Sequence, residues 1–207
     1  MSSTSSHLAR QPQQQRARQR FEDVLVGAEK LLLSKGLDGF NISELAQDLG
    51  YTRASIYKFF PTPQAVFHEI NSRQLDQLED KLRRRVTELQ SDCWEAQLRE
   101  VTATATEFHN DNPVASLLIL GPVQGESAYR SLHSMIGRLG DLLAQVMLAN
   151  DLPVSREPVD HAMLTVEIAT ACLRTSYHLH GYITPAYENA AWTAMVAYLR
   201  QVLNFSA

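Results

Sequence analysis

Arg53, Ser55, Tyr57 and Lys58 lie within one short stretch, and each carries a side-chain hydrogen-bond donor. A guanidinium can grip a guanine edge or a phosphate through paired N–H bonds, and a hydroxyl or ammonium can hold a phosphate oxygen. The chemistry on offer is therefore contact with nucleic acid. Motifs for bond making are missing: no glycine loop to cradle phosphates, no G-x-S-x-G elbow and no H-E-x-x-H pair. No catalytic residue is assigned, and the chain is expected not to be an enzyme.

The elements that must position these side chains can be read around them. Residues 41–60, NISELAQDLGYTRASIYKFF, read as two short helices joined by a glycine turn, the pattern of a helix-turn-helix. Asn41 is placed to cap the first helix, and Glu44 three residues on can complete a capping box, so the helix starts at about Ile42. Ile42, Leu45, Ala46 and Leu49 recur at helical spacing and share one face, and Gly50 supplies a left-handed stop. Thr52 caps the second helix, in which Ile56 and Phe60 face inward and Arg53, Ser55, Tyr57 and Lys58 lie toward the open side. Arg53 and Ser55, early on this helix, are the candidates for base edges. The capped helix starts at Asn41 and Thr52 also present backbone N–H groups that suit phosphates. Pro61-Thr62-Pro63 ends the helix and starts another, with Thr62 as cap and Pro63 in the first turn. Ahead of this unit, Phe21, Val24, Leu25, Ala28, Leu31 and Leu32 predict an amphipathic helix over 17–35 that stops at Lys35-Gly36.

The stretch from Arg18 to Phe67 resembles the DNA-binding domain of the TetR (tetracycline repressor) family. The resemblance rests on Gly36, Asn41, Leu45-Ala46, Gly50-Tyr51-Thr52, Ala54-Ser55-Ile56-Tyr57 and Phe60. Two positions depart from the family pattern: Pro63 stands where a lysine is common, and Phe59 where His or Tyr is frequent. The resemblance implies an all-α protein, with an N-terminal three-helix helix-turn-helix domain and a C-terminal helical effector-binding and dimerisation domain. It implies that Tyr57 holds a phosphate, with Lys58 adding a charge-assisted contact. It also implies a ligand-responsive transcriptional regulator, by family default a repressor, that binds palindromic double-stranded DNA as a homodimer. The alternative is a helical ligand-binding or scaffold protein whose helix-turn-helix is degenerate, since Pro63 removes an expected cation.

Charge is distributed in keeping with this reading. Residues 1–60 hold 8 basic and 6 acidic groups and residues 61–207 hold 11 and 17, which divides the net charge of −4 into +2 and −6. Arg10, Arg16, Arg18 and Arg20 stand in a Ser/Gln-rich opening without acids, so residues 1–17 are expected to form a flexible basic arm. The arm admits two readings, minor-groove or phosphate contact and a solvated tail. Residues 18–62 make the helix-turn-helix domain and 63–207 the ligand-binding and dimerisation domain. No run approaches the roughly 18 apolar residues of a membrane span, and no secretory signal is evident, so a cytoplasmic protein is expected. Cys93 and Cys172 are too few for a disulfide framework.

From Gln64 onward the breaks predict six helices, at about 63–89, 92–109, 113–120, 126–149, 156–180 and 185–204. The run Lys81 to Arg85 reads as a solvated face. The last two helices carry more apolar residues than one buried face needs, and pairing with the same helices of a second copy would cover the excess. Glu167, Arg174 and His178 share one stripe of the penultimate helix. Either they orient a ligand in a cavity, or they form an internal ion pair or an exposed face. Trp94, Phe108, His109, Leu118, Tyr129, Met163 and Tyr177 are the candidate walls of such a cavity, and each alone is compatible with ordinary core. No cofactor is implied. His161, His178 and His180 lack metal-ligand spacing, because residues two apart on a helix point about 200° from one another, and no metal site is expected.

Overall fold

Local signals set the helix boundaries. The computed structural model describes residues 8–10, 15–89, 91, 93–122 and 125–204. Among these residues the chain forms nine helices and no strand: α1 (Gln15–Gly39), α2 (Ile42–Asp48), α3 (Arg53–Tyr57), α4 (Pro63–Glu88), α5 (Trp94–Asp111), α6 (Pro113–Ile119), α7 (Gly125–Ala149), α8 (His161–His180) and α9 (Pro185–Asn204). The break expected after Lys35 is present inside α1, where Gly36 adopts φ 70° and ψ −175°. Two helix starts in the second domain differ by more than one residue from the sequence reading. The fifth helix begins at Trp94 rather than 92, so Cys93 is its cap residue and not part of it. The eighth begins at His161 rather than 156, because the Asp160 side chain accepts the Met163 N–H and Pro158 lies in the segment before it. Arg156, expected inside that helix, instead bridges Asp160 and Asp141.

Two apolar cores result. The first gathers Phe21, Val24, Leu32, Leu45, Ile56 and Phe60 with Ala65, Val66 and Ile70 from the start of α4. The second is built from α4, α5 and α7 to α9, around Leu98, Met147, Leu173 and Leu199. The division expected between residues 62 and 63 is thus bridged. α4 gives its first turns to one core and Leu75, Leu78 and Leu82 to the other. α6 also joins them, since Val114, Leu117 and Leu118 pack on the first core and Ile119 and Leu120 on the second.

Close approach fixes the second layer. A Cβ on Gly140 would lie 2.9 Å from the Met163 Cα and 3.0 Å from its nitrogen, so only glycine lets α7 run this near α8. The Lys81–Arg85 run is an ion-paired face, with Arg85 bonded to Glu100, Lys81 3.7 Å from Glu107 and Arg83 donating to Gln145, while Leu82 turns inward. No helix among the described residues is long and apolar enough to cross a membrane.

Candidate nucleic-acid interface and effector cavity

The turn between α2 and α3 is built by backbone bonding. Tyr51 N–H donates to Ala46 C=O at 2.9 Å and Gly50 N–H to Gln47 C=O at 3.1 Å, the paired pattern that closes a helix when the residue after its cap is left-handed. Gly50, at φ 65°, supplies that conformation without Cβ strain. The Tyr51 hydroxyl then reaches back 2.5 Å to Asp23 on α1, and the Arg20 guanidinium lies 5.2 Å over the Tyr51 ring. The bond from Tyr51 holds the Asp23 carboxyl below its ordinary range, helped by Gln19.

Both caps are made as expected. Asn41 Oδ1 accepts the Glu44 N–H at 2.8 Å, and Thr52 Oγ1 accepts the Ser55 N–H at 3.3 Å. The Glu44 carboxylate differs from the expected capping box: it takes the Asn41 side-chain amide at 3.4 Å and lies 3.3 Å from Lys35. Thr62 caps α4 on Ala65 N–H, with Pro63 in the first turn.

On α3, Ile56 is fully buried and Phe60, just beyond, is too, whereas Arg53, Tyr57 and Lys58 are exposed. None of these three side chains makes a hydrogen bond or ion pair with another described residue, so their donors face outward unspent. Ser55 is different. Its hydroxyl hydrogen goes to Thr52 C=O at 2.7 Å, which leaves the oxygen to accept rather than donate. Asn41 is likewise committed to its cap. Ser43 and Gln47 were not singled out by the sequence reading. They occupy outward positions of α2 and share with Arg53 an open groove of about 680 Å³. The signal that finds them is their place between inward Ile42, Leu45 and Ala46. Phe59, at the position where His or Tyr is frequent, is buried edge-on against Phe21.

The expected arm of residues 1–17 falls mostly outside the described residues. Of its described part, Gln15 to Ala17 belong to α1, Ala9 packs on the first core, and Arg10 N–H donates to Phe59 C=O at 2.8 Å.

The larger domain encloses a cavity of about 80 Å³ between α4, α5, α7, α8 and α9, with Ile119 and Leu120 at one side. Of the residues expected around a cavity, His109 is among those that line it. Phe108, Trp94, Met163 and Tyr177 pack in the core around it, Leu118 turns to the first core, and Tyr129 is 61% exposed. Glu167 and Arg174 are half-buried and His178 is exposed, and no ion pair joins them. Nε and Nη2 of Arg174 are buried without a partner. The described residues contain no group of His, Cys, Asp and Glu placed to hold a metal ion.

Burial pushes the His109 imidazole down to about 4, so it is neutral at physiological pH. An unfolded histidine takes its proton near 6.5, so stability is intact above that value and falls as pH drops toward 4, where the unfolded chain alone binds the proton. Between pH 7 and pH 5 this single group should cost roughly 2 kcal/mol. Urea unfolding of wild type and His109→Gln at both pH values checks it. Parallel losses in the two proteins would remove His109 as the cause.

Residues 24–70 match the family model described as bacterial regulatory proteins, tetR family. That span covers α2, the glycine turn, α3 and their packing against α1 and α4. This segment carries the TetR-family DNA-binding pattern. Solved TetR-family structures share the fold across nearly the whole length. A TetR-family transcriptional regulator from Streptomyces coelicolor is 20% identical with a TM-score of 0.68, covering 88% of this chain and 99% of that one. A TetR-family regulator from Mesorhizobium loti is 18% identical with a TM-score of 0.62, covering 90% and 98%. RolR, solved in complex with resorcinol, is 16% identical with a TM-score of 0.63, covering 91% and 89%. No curated protein matches the sequence. The matched segment includes every residue assigned to the interface except the arm.

Proposed function

We propose that the protein is a homodimeric transcriptional repressor that binds palindromic duplex DNA through α3 and releases it when a small molecule enters the C-terminal cavity. The observation that carries this reading is the trio of unpaired donors, Arg53, Tyr57 and Lys58, exposed on and just after a capped helix in a TetR-family domain. Tyr57 and Lys58 suit phosphates and position the protein; Arg53, free to fork onto a guanine, gives sequence preference. Ser55 contributes as an acceptor unless it gives up its bond to Thr52.

Dimerisation is supported by the outer faces of α8 and α9. Leu164, Ala171, Thr175 and Leu179 form an exposed stripe on one helix, and Ala186, Ala190, Thr193 and Ala197 on the other. The two threonine hydroxyls donate back to their own helices at 2.8 Å, so neither spends its hydrogen on solvent. Such surfaces let helices of two copies approach closely, and two reading heads set about 34–36 Å apart reach successive major-groove faces.

Two helices link the sites: α4, through Ile70 and Leu82, and α6, which touches the DNA-binding core through Val114 and the cavity through Ile119. A ligand changes DNA affinity only if it prefers one placement of those helices over another. The resorcinol complex of RolR supports a small-molecule effector for this fold.

Fluorescence anisotropy with genomic fragments at low salt tests the reading. A fragment preferred over random duplex is expected, and equal affinity for all fragments would sink it. Arg53→Ala should then cost roughly 1–3 kcal/mol and relax preference at one base position. Equal loss on every sequence would move Arg53 to the phosphate backbone.

A further inference from the structure

The cavity in the second domain has a polar inventory that can be counted hydrogen by hydrogen. Three polar side chains line it, His109, Thr102 and Thr170, and the other lining residues are Leu, Val, Ala, Ile and Met. Thr102 Oγ1 donates to Leu98 C=O at 2.8 Å, and Thr170 Oγ1 donates to Val166 C=O at 2.8 Å. Each hydroxyl has one hydrogen and has turned it onto its own helix, so only lone pairs remain.

His109 follows from the same reasoning. Ser116 Oγ gives its hydrogen to the His109 C=O at 2.6 Å. At 3.4 Å from Nδ1 that oxygen can therefore only accept, which puts the ring hydrogen on Nδ1 and leaves Nε2 with a bare lone pair. Nε2 makes no hydrogen bond to a described residue, and it is not among the fully covered atoms left without a partner, so open space remains in front of it. An acceptor facing an apolar chamber is better satisfied by a ligand hydrogen than left open. Thr106, one turn from Thr102, keeps an unpartnered hydroxyl, but it is not among the lining residues. Arg174 does not line the cavity either.

We infer that this chamber is acceptor-only, and that it selects small, neutral, largely apolar molecules bearing one hydroxyl or N–H, which donates to His109 Nε2. This rests on the effector reading above and gives it a chemical class. Carboxylates are disfavoured because no lining group can donate to them, and ammonium ions because no lining group is negative. The volume of about 80 Å³ sets the size. An engineered cavity of about 150 Å³ holds benzene, so a single ring enters here only when the walls yield enough to nearly double the space. Met135 and Met195 in the lining are the side chains best able to yield.

Isothermal titration of the full-length protein with phenol, anisole and benzoate tests the assignment. Anisole keeps the ring and caps the hydroxyl; benzoate replaces the donor with a charge. Phenol is expected to bind about tenfold more tightly than anisole, the worth of one hydrogen bond, with no detectable binding of benzoate. His109→Leu should bring the phenol-to-anisole ratio near one. Should that variant fail to fold, His109→Phe, which keeps a planar ring and removes the nitrogen lone pair, should do the same. Equal binding of phenol and anisole, tighter binding of benzoate, or no phenol binding up to its solubility overturns the inference. The underlying reading fails separately. Phenol preferred yet without effect on the DNA complex leaves the chamber and removes the effector role; release of DNA by rings irrespective of a donor does the reverse.

Discussion

Ala190→Glu is expected to leave a folded monomer that binds a palindromic fragment roughly a hundredfold or more weakly than wild type. Ala190 is exposed on α9, so the single chain has room for the longer side chain and its own core is untouched. In a two-fold interface the substitution occurs twice, on matching surfaces, and places two carboxylates where small residues would otherwise pack. Desolvating unpaired charges costs several kcal/mol, which a modest helix interface cannot offset. Loss of the dimer removes the second reading head, and with it the gain from holding two half-sites at once. Sedimentation and anisotropy on one sample settle the matter: a dimer with intact affinity would place the interface elsewhere, and a monomer with intact affinity would remove the need for one.

Phe21→Ala is expected to cost the DNA-binding domain about 3–5 kcal/mol. Phe21 is 1% exposed, stacked 4.6 Å from Phe60 and edge-on to Phe59 at 5.9 Å, with the Arg73 guanidinium 5.6 Å from its ring. Truncation opens a cavity at the point where α1, the end of the reading unit and α4 meet, and the small core has few other contacts to close it. Hydrogen exchange should show early loss of protection over α1 to α3 while α8 and α9 stay protected. Uniform loss along the chain would mean that the two cores unfold as one. Phe21→Leu, which keeps most of the apolar volume, should lose far less.

The helix-turn-helix was legible because its signals are local. Caps at Asn41, Thr52 and Thr62 and the left-handed glycine at position 50 act within four residues, and the spacing of Ile42, Leu45 and Ala46 needs no knowledge of distant chain. The start of α8 was misplaced for a related reason: the apolar period can be extended back to residue 156, and nothing in that period shows that Asp160 claims the Met163 N–H. The cavity was the least legible part. It is a gap left where faces of several helices fail to fill space, and its lining comes from residues more than a hundred positions apart, such as Leu78 and Met195. Polarity within an apolar helix drew attention to Glu167 and His178, which do not line it; His109 was among the expected walls and does, while the part played by Thr102 and Thr170 depends on which hydrogens are already spent. Ser55 shows the same limit on a smaller scale, since its type offers a donor and its backbone neighbour takes it.

Arg73 on α4 holds Glu22 of α1 through two bonds, of 2.5 and 2.9 Å, and Glu69 at 3.0 Å. The reading helix between them spans only five residues and packs through Ile56, so it has little orientation of its own. It travels with α4. A helix of 26 residues is about 39 Å long. Pivoted at its far end, a tilt of about 5° swings the tip by about 3 Å, close to the rise of one base pair. Viewed as a lever, α4 would turn a small push near Leu82, in the cavity wall, into a displacement of that size at α3.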